Sequence, residues 1–229
     1  GNLGSDNWLW HAYNSGSDEN SAFFTSSDQL AFSIYTGNNN NGRLTTNTKF
    51  RDVHGWYHVQ FVWDSENSTA ADRMIIYVNG VRQTDFATQT NGALNYDSLW
   101  NNNVPHFIGQ YGSGSSSMRF SGSMSHVHFS DGYALAPTVF GSTDSTTGEW
   151  KINTSPSFTL GTNGFSILKD ANTITDQSSN SNNWTLGGGT LTKTEDNPSN
   201  VFATINPLLG IDVIGGTVTY ANGNTVAED

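Results

Sequence analysis

His126 and His128, separated by one residue, would project to one face of a strand. A pair of imidazoles at that spacing can enter a zinc shell if His106, His58 or a carboxylate completes it. No cysteine is present and no third ligand lies close in sequence, so an outer-face pair beside Val127 and Phe129 is the plainer expectation. Hard oxygen donors gather elsewhere. Asp64, Glu66, Asn67 and Asp72 surround a connection between two strand-like runs, and Asp18, Glu19 and Asn20 flank another. Oxygen ligands of this kind suit calcium, the one cofactor these residue types suggest, although neither run has the spacing of an EF-hand and each also reads as a solvated acidic loop. For sugars, the candidate contacts are Trp8, Trp10, Trp100 and Tyr111 with His106: rings to stack on pyranose faces, and ring nitrogens and a hydroxyl to bond sugar hydroxyls. Trp8 and Trp10 are expected to share one strand face. Retaining glycoside hydrolysis would need two carboxylates about 5 Å apart. Glu19, Glu66, Glu149, Glu195 and Glu228 are instead scattered through turn-like contexts, and no enzyme is expected.

These groups need elements to position them, and composition points to β-structure. Aromatics reach 12% of the residues, a type that favours strands, whereas the strong helix formers Lys, Glu and Ala are sparse. Gly, Asn, Ser and Thr supply the turns that many short strands require. The formal charge of −11 disfavours nucleic acid and anionic membranes as partners. The absence of cysteine leaves the compartment open. No apolar run approaches the length needed to span a bilayer.

Strand-like runs appear at Trp8 to Tyr13, Ala22 to Thr25, Leu30 to Tyr35, Trp56 to Trp63, Arg73 to Val78, His106 to Gly109, and Met118 to Phe129 with a break at Gly122. Tyr57, Val59, Phe61 and Trp63 alternate to one face and read as core. Asn79-Gly80 marks a two-residue hairpin turn, because both residues tolerate positive φ. The Asn38 to Gly42, Gly112 to Ser117 and Asn101 to Asn103 stretches read as loops, and Ala134 to Thr138 as one short helical turn. Weaker strands come after these at Glu149 to Ile152, Gly164 to Lys169, Trp184 to Leu191 and Val201 to Ile205. The expected fold is an all-β, antiparallel two-sheet β-sandwich over residues 1–141. Residues 142–229 are expected to form a β-rich extension that packs on it or leads to a further domain.

Three ordered blocks carry a resemblance. Trp56-Tyr57-His58-Val59, Ile75-Ile76-Tyr77-Val78-Asn79-Gly80, and Phe107-Ile108-Gly109 with Phe120 to Phe129 resemble successive strands of laminin G-like, concanavalin A-like jelly rolls. That family often carries acidic residues where Ser125 and His126 stand, so no calcium site carries over there. The family also includes glycoside hydrolases, polysaccharide lyases and lectins, which are the alternatives in function. Ser130 to Gly141, Thr162 to Phe165 and Asp196 to Leu208 are similar to structural proteins of marine bacteriophages that carry such a module. The resemblance implies a non-enzymatic module on the virion surface, such as a tail fibre or decoration protein, assembled in the host cytoplasm. Its implied partners are other virion proteins, host cell-surface glycans and further copies of itself. The opening at Gly1 and the Gly/Asn-rich close read as cuts from something longer, with an opening strand of the sandwich missing.

Overall fold

The computed structural model describes residues 2–112, 118–170, 173–194 and 198, together with the backbone of 219–221 and 226–228. The chain divides into two compact units, Gly1–Thr194 and Glu195–Asp229. The second is described only as an antiparallel pair of short strands, Thr219–Ala221 and Val226–Glu228, and Val201 to Ile205 lies outside the described residues.

The first unit opens with four strands in meander order: β1 (Asn7–Ser15), β2 (Asp18–Phe24), β3 (Gln29–Thr36) and β4 (Asn39–Lys49). β5 (Val59–Trp63), β6 (Met74–Val78) and β7 (Val81–Arg82) form a separate three-stranded antiparallel sheet. The chain then returns to the first sheet, adding β8 (Phe86–Thr90) and β9 (His106–Ile108) at its edges, so that its order is β8-β4-β3-β2-β1-β9. The two sheets enclose the core. Ala12, Ala22, Leu30, Phe32, Ile34 and Leu44 from the inner face of the large sheet meet Met74, Ile76 and Val78 of β6, and the ring of Phe32 lies 5.3 Å from that of Phe61. Tyr57, Val59, Phe61 and Trp63 pack against this core as their alternation predicts.

The Asn79-Gly80 turn forms between β6 and β7 with both residues at positive φ, 49° and 75°. Trp150 of β12 (Trp150–Ile152) lies over it, so close that a Cβ on Gly80 would sit 2.1 Å from the indole ring. Gly80→Ala therefore meets both a backbone conformation that L-residues resist and a clash with a large aromatic. Chemical denaturation is expected to show a loss of about 2 kcal/mol.

Several expectations are corrected. Asn39 to Gly42 belong to β4 and are not a loop, because the turn at Gly37 and Asn38, both at positive φ, feeds their backbones into a ladder with β3. Pairing rather than side-chain burial decides that element. β8, which no apolar alternation predicts, forms because β4 offers it an edge. The run from Trp56 becomes a strand only at Val59, and of Met118 to Phe129 only Val127–Phe129 (β10) is a strand, preceded by one bridge between Gln110 and Arg119. Trp184 to Leu191 forms no strand. The short helical turn is a 3-10 turn at Pro137–Val139.

One strand pairing spans residue 141. β10 pairs with β13 (Phe165–Ile167), and β11 (Gly141–Thr143) pairs with β12.

Candidate functional site

Side chains alternate across the large sheet, so its register dictates which residues share the face turned away from the core. His11 pairs with Ser21, Ser21 with Ser33 and Ser33 with Arg43, which makes one row across four strands. On one flank lies the row Trp8, Phe23, Ala31, Thr45; on the other, Tyr13, Glu19, Tyr35, Asn40. The serines are short and their neighbours are large. The result is a groove of about 470 Å³ with Ser21 and Ser33 on its floor, walled by Trp8 and Phe23 on one side and by Tyr35 on the other.

Trp8 stacks on Phe23 with ring centroids 4.4 Å apart and meets Tyr111 edge-on at 4.8 Å. It is 6% exposed, and its indole N–H finds no acceptor among the described residues. His11, fully buried, accepts a hydrogen bond at Nδ1 from the Gly112 backbone N–H at 2.7 Å. Its neutral ring therefore carries its proton on Nε2, which lies 3.2 Å from Glu19 Oε2 without aligning as a hydrogen bond. The Tyr111 hydroxyl donates to the same Oε2 at 2.8 Å. Burial, together with the hydrogen bond to Glu19 and the charge of Glu19, pushes the Tyr111 pKa far up. Tyr111 thus remains a phenol donor and does not serve as a base. On the other side of the groove, Arg43 lies with its guanidinium carbon 5.8 Å from the Phe23 ring centroid and donates from Nε to Thr45 Oγ1 at 3.2 Å.

The residues proposed from sequence are distributed differently. Trp8 lines the groove, and Tyr111 buttresses it through Trp8, His11 and Glu19. Trp10 does not share the face of Trp8. A bulge at Leu9 shifts the register between them, sending Trp10 inward against Trp100, Phe129 and Phe165. Trp100 is core. His106 accepts the Trp10 indole N–H at 3.2 Å and is structural.

The calcium candidates do not assemble. Asp72 pairs with Arg82 at 2.6 Å, Asp64 accepts from the Asn67 amide, and Arg73 occupies the backbone carbonyls of Asn67, Ser68 and Gly92 that a cation would use. Glu66 is exposed on the rim of a second depression, of about 380 Å³, beside Trp63 and Asp97. In the other acidic run, Glu19 faces outward, whereas Asn20 is buried on the inner face with its amide oxygen toward the Leu99 and Trp100 N–H groups. Neighbours on one strand point to opposite sides, so they cannot share an ion. Among the described residues no three His, Asp or Glu side chains converge as a metal requires.

The histidine pair is also displaced from the expected outer face. His126 has φ of 52° and precedes the strand, while His128 bonds Ser166 Oγ at 2.8 Å and packs between Phe140 and Phe158.

Sequence reading missed His11, Phe23, Tyr35 and Arg43. Their signal is parity: His11 and Tyr13, Glu19 to Phe23, and Ala31 to Tyr35 occupy alternate positions on three successive strands.

The molecule is thus an antiparallel β-sandwich whose large sheet carries, on the face away from the core, a groove lined by serines, aromatics and hydrogen-bonding groups. The chain belongs to the concanavalin A-like lectin/glucanases superfamily, whose laminin G-type family model matches residues 2–141. No curated protein and no solved structure matches it.

Proposed function

We propose that this protein is a non-enzymatic glycan-binding module on the surface of a bacteriophage particle, contacting host surface glycans through the open face of its large sheet. The observation that carries the reading is the serine-floored groove. It offers the partly exposed ring of Tyr35 for stacking, with the Tyr35 hydroxyl, Glu19 and Arg43 as hydrogen-bonding groups. The superfamily is compatible with this use. The virion setting, with other virion proteins as neighbours, is supported by the resemblance of Ser130 to Gly141 and of the later blocks to phage structural proteins.

Geometry favours binding over glycoside hydrolysis. The carboxylates lining the groove are Glu19 and Asp6. Asp6 neighbours Asn7, which pairs with Phe24, five residues along β2 from Glu19. That is about 17 Å of extended strand, well beyond the separation that brackets one glycosidic bond. Asp6 also accepts the Ser26 backbone N–H at 2.6 Å and so helps to close a turn.

A glycan array followed by calorimetric titration is expected to find oligosaccharide ligands whose affinity falls roughly tenfold in Tyr35→Ala, through loss of a stacking ring. Binding that is indifferent to Tyr35→Ala and to a groove-filling Ser33→Trp would overturn the site. Mass spectrometry of purified particles is expected to detect this chain; its recovery only as a free secreted protein would overturn the virion setting.

A further inference from the structure

We propose that the groove selects carboxylated sugars, with the acid group of a uronate held end-on by the Arg43 guanidinium; this rests on the reading of the groove as a glycan site. What sets Arg43 apart among the basic residues is its place in the groove, the one arginine or lysine in its lining. The protein carries a formal charge of −11, so acids outnumber bases and a basic group can readily find a partner. Arg51 is paired with Asp28, Arg82 with Asp72 and Lys151 with Asp144, and Arg73 is saturated by backbone carbonyls. Arg43 lines the groove, yet no carboxylate pairs with it among the described residues.

Its orientation is set from two sides. Nε is used by Thr45 Oγ1, and the guanidinium carbon stands 5.8 Å from the Phe23 centroid. The two terminal nitrogens remain, and their parallel N–H bonds match the two oxygens of a planar carboxylate. Ser33, the partner of Arg43 across β3, and Ser21 beyond it are small enough to leave room for a ring beside that fork. Glu19 lies two strands from Arg43, about 10 Å away, and is held by the Tyr111 hydroxyl. At that distance its charge is directed to the opposite end of the groove, where it suits sugar hydroxyls as donors.

The same net charge shapes the ligand. A long polyuronate is repelled by the whole surface, so a short oligomer or a chain terminus is the better fit, and moderate salt should help long polymers more than short ones.

The test is calorimetric titration of the full chain with short oligomers of galacturonate, mannuronate and guluronate, with their carboxyl-reduced neutral counterparts, and with a sulfated oligosaccharide. At least one uronate oligomer is expected to bind roughly tenfold or more tightly than its reduced counterpart. Arg43→Gln should erase that difference, and Arg43→Lys should keep only part of it. Equal binding of acid and reduced forms, or preference for the sulfated ligand, would overturn the carboxylate proposal and leave the glycan groove standing. Binding of none of them, or binding unchanged by Tyr35→Ala, would overturn both. If Arg43→Gln does not fold, the comparison of acid with reduced ligand on the unaltered protein decides the matter.

Discussion

Asp176→Ala is expected to lower the unfolding free energy by about 4 kcal/mol, the largest single-substitution effect this fold should show. Asp176 is 8% exposed, and its carboxylate is a hub. Oδ1 accepts the backbone N–H groups of Ser166 and Ser178 at 2.8 and 2.9 Å; Oδ2 accepts the Ser178 hydroxyl and the Asn182 N–H, both at 2.8 Å. Its own N–H donates to the Asn183 side chain. The turn it organises then aims the amides of Asn180 and Asn182 at the carbonyls of Gly161, Thr162 and Gly164. Alanine leaves the buried Ser166 N–H and the half-buried donors of Ser178 and Asn182 without acceptors and frees the coil from β13, which in turn pairs with β10. Burial raises the Asp176 pKa, but the N–H and hydroxyl donors outweigh it and hold the value below that of a free aspartate. Its contribution is therefore present above about pH 4 and is lost as pH falls through the depressed value. Urea unfolding followed by tryptophan fluorescence measures the loss, and a change under about 1 kcal/mol would contradict the hub role.

Acid is expected to act earlier than Asp176 can, through histidine. His128 is held neutral by burial, with the positive charges of His126, Lys169 and His58 adding to the effect, and its pKa drops to about 4. Burial also lowers His58, which stacks on Trp150 at 5.7 Å, and His126, where the opposing charges of Lys169 and Asp170 contribute less. These groups bind protons more readily unfolded than folded. Their contribution is complete above about pH 6.5 and is lost as pH falls toward the folded values. For His128 alone the loss by about pH 4 is about 3 kcal/mol. Much of it falls between about pH 6.5 and 4.5, before most carboxylates titrate, so that window isolates the histidines. Denaturation midpoints measured across it should decline steadily in the unaltered protein. His128→Phe, which keeps a ring between Phe140 and Phe158 but cannot be protonated, should flatten the decline. An equally steep decline in that variant would assign the acid sensitivity elsewhere.

Parts of this arrangement are legible in the chain itself. The turn at Asn79-Gly80 follows from two adjacent residues that accept positive φ, and the core role of Val59, Phe61 and Trp63 follows from alternation. The resemblance of the three motif blocks agrees with the superfamily match over residues 2–141. The groove is legible only in fragments. Trp8 stands out for its ring and Tyr111 as the border of a Gly/Ser loop, but Arg43 comes after an Asn-rich stretch that reads as a loop because its own side chains bury little. The expected metal sites fail for reasons of parity and competition: Glu19 and Asn20 point to opposite faces, and the carbonyls around Asn67 are already held by Arg73.

What the sequence determined by itself is the β class, the main hairpin, and which side chains of β5 share the core face, since each depends on a residue and its near neighbours. Only the tertiary structure decided which faces meet. The bulge at Leu9 separated Trp8 from Trp10, the register of β1 to β4 brought His11, Ser21, Ser33 and Arg43 into one row, and β13 joined a later segment to the sandwich. Register and bulges arise from hydrogen bonding between strands, and a shift of one residue exchanges the buried face for the open one.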